Sequence, residues 1–183
     1  FAVPEVATLL ITGGVSFAEM GPDEFLATER TMLDTQMSLE ENFKKLAEAH
    51  GKDTVIVCDR GAADLRAYLS PDMWEALVVD AGTSTTELRD RRYDSVVHLT
   101  TAADGAEKFY TTANNAARTE TPAQARALDK KSLNAWLGHP NHFVADNSTD
   151  FKDKINRVVG AVCKSIGLPQ PADRIRRFVL AEP

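Results

Sequence analysis

Short apolar segments alternating with longer helical ones predict an α/β protein, with a mostly parallel sheet and helices on both faces. Two observations carry this expectation. Thr54-Val-Ile-Val-Cys-Asp-Arg-Gly61 is a short apolar run that stops abruptly on an acid and a base, as strands of open α/β sheets do where they present functional groups. Two further segments also end on polar residues, at Glu5 and at Asp146-Asn147-Ser148. In a parallel sheet all three ends lie along one edge, where ligands bind.

In chain order, Phe1-Ala-Val-Pro-Glu5 reads as the end of a strand. A short helix follows over 6–11 and stops at Gly13-Gly14. A long helix is predicted from about 22 to 50, with Phe25, Met32, Leu39, Phe43 and Leu46 at roughly helical spacing and Gly51 as its stop. The strand 54–58 leads into helical stretches over 62–69, 71–80 and 85–92. Strands are expected at 95–99 and 142–146, with a helix over 122–137 between them. Residues 150–166 close the domain as an amphipathic helix, its apolar side carrying Phe151, Ile155, Val158, Val159, Val162 and Ile166.

The length of 183 residues allows one domain with a substantial core. A net charge of −6 argues against a nucleic-acid binder, which would carry a basic face. No run approaches the length of a membrane span. Cys58 and Cys163, one on a predicted strand and one on a predicted helix, point to buried thiols in a reducing compartment, hence a cytoplasmic protein.

An Asp at a strand end, here Asp59, is where phosphoryl-transfer enzymes hold Mg²⁺, and an adjacent Arg neutralises phosphate charge. The alternative is an exposed ion pair. Asp146, Asn147 and Ser148 are equally suited to capping the helix that follows. Over 101–120, Glu107, Tyr110, Asn114 and Arg118 recur at intervals of three and four, which on a helix makes one polar stripe. That stripe is either a lid that closes Arg118 over a phosphate or a solvated face. Arg126, Lys130 and Lys131 are a phosphate patch or solvated charge. His98 reads as a core residue, and His139 has no Cys or His at ligand spacing. The loop G-x-x-x-x-G-K-[ST], the expected companion of Asp59, does not occur in the chain.

Several motifs come in a familiar order. Val3-Pro-Glu-Val-Ala-Thr-Leu-Leu10 with Gly13-Gly14, Cys58-Asp-Arg-Gly61 with Asp64, Tyr110 with Asn114-Asn115 and Arg118, Trp136-Leu-Gly-His-Pro140 and Asp146-Asn147 resemble the P-loop domain of the TRPL translocation defect family. That domain is AAA-like and allied to nicotinamide riboside kinase and the deoxynucleoside kinases. The resemblance covers residues 1–168 and implies a three-layer α/β P-loop NTPase of nucleoside-kinase-like type that binds ATP or GTP with Mg²⁺. It places Asp59 at the metal position with Arg60 beside it, Glu5 as the substrate or base carboxylate, Arg118 as the lid arginine, and Asn114 and Asn147 near the nucleotide. Residues 169–183 resemble a linker and the opening of a CYTH-type barrel.

In such folds the first strand and the phosphate-binding loop precede the residues seen here, and the strand order is 2-3-1-4-5. A chain without that strand and loop is expected to bind nucleotide weakly, to be inactive, and to be less stable than one with them. The function expected is phosphoryl transfer or nucleotide hydrolysis. The alternative is a nucleotide-regulated binding or trafficking module with a phosphoinositide or protein partner and little turnover.

Overall fold

The computed structural model describes residues 1–111 and 120–169. They form two compact units, one built from residues 1–89 and one from residues beyond 89.

In the first unit, β1 (Ala2–Val3) pairs in parallel with β2 (Val57–Cys58), in the register Ala2↔Val57 and Val3↔Cys58. Backbone bonds from Val57 to the Phe1 carbonyl and from Asp59 to the Val3 carbonyl extend the ladder to both ends. The chain turns directly from Glu5 into α1 (Val6–Thr12), which Gly13 and Gly14 end; Gly14 takes φ 97°, open to glycine. Next comes α2 (Pro22–His50), with Pro22 opening its first turn, Asp23 and Glu24 facing the helix dipole, and Gly51 in the left-handed region as its stop.

The expected extent of α2 is correct, but its buried face is not the expected one. Phe25, Met32, Leu39 and Phe43 are only half-buried, Leu46 is 57% exposed, and the buried stripe is Glu29, Leu33, Gln36 and Glu40. Against α2 lies a 3₁₀ turn, Ala62–Ala67, in place of the helix expected over 62–69. Ala62 and Ala63 are fully buried there, and their short side chains allow the backbones to approach closely. α3 (Pro71–Asp80) is capped by the Ser70 hydroxyl, which accepts the Met73 N–H. A single π-helical turn, Glu87–Arg91, replaces the helix expected over 85–92.

In the second unit, β3 (Val96–Leu99) and β4 (His142–Ala145) are parallel, Val96↔His142 through Leu99↔Ala145. α4 (Pro122–Ala135) opens with a reciprocal cap: Thr121 Oγ1 accepts the Gln124 N–H, and Gln124 Oε1 accepts the Thr121 N–H. α5 (Phe151–Ser165) is capped by Asp150 and rests on β4. The helix expected from 101 onward is absent over its described part. Gly105 takes φ 79°, and only a 3₁₀ turn, Glu107–Phe109, follows before Tyr110 returns to an extended conformation. Glu107 and Tyr110 therefore share no helical stripe.

Parallel pairing is as expected, and the described strands form two pairs, β1–β2 and β3–β4, as the order 2-3-1-4-5 leaves them without its first strand. Neither Cys58 nor Cys163 forms a disulfide, and both are half-buried rather than buried. No helix among the described residues is long and apolar enough to cross a membrane.

Candidate functional site

Because β1 and β2 run parallel, Glu5 and Asp59 leave the sheet at the same edge. Arg60 then adopts φ 68°, a conformation that costs a side chain with a Cβ about 1–2 kcal/mol. The turn brings its guanidinium between two carboxylates. Nε lies 3.5 Å from Glu5 Oε1, and Nη1 lies 3.8 Å from Asp64 Oδ1. Glu5 takes a hydrogen bond from the Thr8 hydroxyl on α1, and Asp64 accepts the Gly61 N–H at 2.8 Å. From α2, the Gln36 amide donates to Glu40 Oε1 at 2.7 Å and to the Arg60 carbonyl at 3.3 Å. Partial burial opposes the Arg60 charge, yet Asp64, Tyr68, Glu5 and Asp59 together hold its pKa above the usual value.

The edge thus carries three carboxylates, Glu5, Asp59 and Asp64, around one guanidinium. Asp59 is exposed, and its carboxylate accepts no hydrogen bond from a described residue. A hard, open oxygen donor of this kind suits Mg²⁺, which keeps most of its waters and takes one or two carboxylates with phosphate oxygens. Among the described residues no group of three or more His, Cys, Asp or Glu can cage a metal.

In the second unit Asn147 follows β4 and is fully engaged. Its amide nitrogen donates to the Thr101 carbonyl at 2.8 Å and to the Asp104 carbonyl at 2.6 Å. Its amide oxygen accepts from Lys154 Nζ at 2.7 Å, and the same ammonium donates to the Thr100 carbonyl. Lys154 is buried, and desolvation lowers its pKa. Asn147 fastens the Thr101–Asp104 loop to α5, which makes it a positioning residue. Asp146 is held below the usual carboxylate range by the Ser148 hydroxyl and N–H and then by Arg157.

His98 is buried, with Nε2 3.3 Å from Asp129 Oδ1. His139 uses both ring nitrogens, one against the Tyr93 carbonyl at 2.9 Å and one accepting the Asn141 N–H at 3.1 Å, so neither is open to a metal. Arg126 donates to the Ala103 carbonyl, leaving Lys130 and Lys131 as exposed charges on α4. Asn114 and Arg118 lie outside the described residues, as do residues 170–183.

Sequence reasoning placed Glu5, Asp59-Arg60 and Asp146-Asn147-Ser148 along one edge; the structure joins Glu5, Asp59 and Arg60 at the end of the β1–β2 pair, while Asp146-Asn147-Ser148 follow β4 of the other pair, and Gln36, Glu40 and Lys154 were missed. The available signal for Gln36 and Glu40 was their spacing of four on α2. Lys154 had none, since one lysine beside an apolar helix face usually reaches solvent.

No curated protein and no solved structure matches the chain. A family model described as an AAA domain matches residues 1–154, a span that takes in Glu5, Asp59, Arg60, Asp64, Asn147 and Lys154. The chain, an α/β protein of the nucleotide-binding P-loop NTPase type, belongs to that AAA domain family.

Proposed function

We propose that this domain, completed by a phosphate-binding loop, binds ATP or GTP with Mg²⁺ and transfers the terminal phosphoryl group to a small acceptor, or to water, at the edge where β1 and β2 end. Bound Mg²⁺ would neutralise phosphate charge, and Asp59 is the residue that would hold it. Glu5 receives the acceptor proton and orients the attacking oxygen. Arg60 keeps Glu5 in place and offsets charge at the reacting phosphate. Arg118, Asn114 and Asn147 are assigned to the nucleotide.

The single observation that carries this is Arg60: a residue in a costly left-handed conformation whose guanidinium is braced between Glu5 and Asp64. Strain of this kind persists where the surroundings over-determine it, and here the bracing groups are those that phosphoryl transfer needs.

The test is ADP or GDP formation from Mg·ATP and Mg·GTP, with and without a panel of small alcohols, for the wild type and Glu5→Gln. A rate lowered about 10²-fold or more in the variant, with unchanged thermal stability, is expected. Equal rates would remove Glu5 from the chemistry. Absence of turnover together with nucleotide-dependent binding to phosphoinositide-containing liposomes would favour the regulatory-module alternative, with Lys130 and Lys131 as its contact.

A further inference from the structure

Glu29 is a buried acid that the chemistry above does not use. It sits on the buried stripe of α2 at 3% exposure, and its Oε2 is sealed from solvent without a hydrogen-bond partner. Its helical neighbours three and four positions away are Leu26, Phe25, Met32 and Leu33, so α2 itself offers no partner there.

Nor do the described elements around it supply a cation. α1 and β1, which pack on α2, carry no ionisable side chain. The turn Ala62–Ala67 carries Asp64, already held by Gly61 and Arg60, and Arg66, which is exposed. α3 carries Asp72, Glu75 and Asp80, and the turn before α2 carries only Glu19. Arg30, the next residue, is taken by Asp34 and Asp80. Burial without a partner favours the neutral acid, and the Glu29 carboxyl is pushed up to about 7.

The two halves of α2 are held differently. Beyond Gln36 the helix is fixed by the Gln36–Glu40 and Gln36–Arg60 bonds and by Phe43 and His50 against Phe1. Before Gln36 it is held by the burial of Leu33 and by the exposed Arg30 ion pairs, with Leu26 37% exposed.

We propose that Glu29 is a proton-operated latch on α2. Protonated, it leaves the amino-terminal half of the helix seated in its unit. Ionised, with its proton released to solvent, the carboxylate must be hydrated, and that half lifts while the half beyond Gln36 stays in place. The moving segment ends at the residue that holds the Arg60 carbonyl, so the latch adjoins the candidate site without depending on what that site does.

The experiment is amide hydrogen exchange on the full chain between pH 5.5 and 8.5, corrected for intrinsic rates, on wild type and Glu29→Gln. In the wild type, opening of residues 24–35 rises by up to about tenfold per pH unit as pH approaches 7 and levels off above it, while residues 40–50 stay protected. In Glu29→Gln that dependence disappears. The same pH dependence in both proteins overturns the latch, and so does equal loss of protection in both halves of α2. Should the variant not fold, a carbon-13 titration of the wild-type Glu29 carboxyl decides. A midpoint near 7 that coincides with the exchange change supports the latch, and one below about 5 overturns it.

Discussion

Arg60 holds two opposing costs. Its left-handed backbone is unfavourable, and its guanidinium is stabilised by Glu5 and Asp64 at ion-pair rather than hydrogen-bond distances. Arg60→Gly relieves the backbone cost while losing the ion pairs, so its unfolding free energy is expected within about 1 kcal/mol of wild type. Arg60→Ala keeps the strained φ, and denaturant titration should place it about 1 kcal/mol below Arg60→Gly. Glu29 makes stability depend on pH in a definite direction. Its folded pKa of about 7 lies above the ordinary 4.5, so its contribution is complete below 4.5 and is lost as pH rises through 7. The full loss is about 3 kcal/mol, against a flat response in Glu29→Gln, read from denaturant unfolding at pH 5 and pH 8.

Among the elements, the loop Thr101–Asp104 depends on one amide. Asn147→Ala leaves two backbone carbonyls and the buried Lys154 ammonium short of partners, and a loss of about 2–4 kcal/mol is expected in chemical unfolding. The β3–β4 pair carries its own acid sensitivity. Desolvation, then His98 and His139, hold the His142 pKa below 6.5. The stability it supports is present above 6.5 and is lost as pH falls from there through the lowered value. His142→Phe should flatten that acid limb in a pH series of melting temperatures. Neither effect was legible from hydropathy, because Lys154 is buried and His142 half-buried by what packs against them.

For the molecule as a whole, ligand linkage is the sharpest check on the AAA domain assignment. Mg·ATP or Mg·GTP at about 100 times its Kd should add about 2.7 kcal/mol to unfolding, and excess EDTA should remove most of it. A melting temperature indifferent to both nucleotides would separate this chain from the nucleotide chemistry of its family. The unpaired side of β2 has a consequence of its own. Val57 is 59% exposed beside a short strand, which favours edge-to-edge association at high concentration.

The amino-acid sequence by itself determined where most elements begin and end. Pro22 and Gly51 bound α2, Ser70 opens α3, Thr121 with Gln124 opens α4, and Asp150 opens α5, because caps and breakers act within a few residues of one another. It also brought Glu5, Asp59 and Arg60 to one edge, since parallel strands carry their carboxyl ends to the same side. Tertiary structure alone decided which face of α2 is buried, why Arg60 turns back onto Glu5, and how Asn147 comes to be used by its own fold. These features depend on partners far away in the chain, and local periodicity carries no record of them.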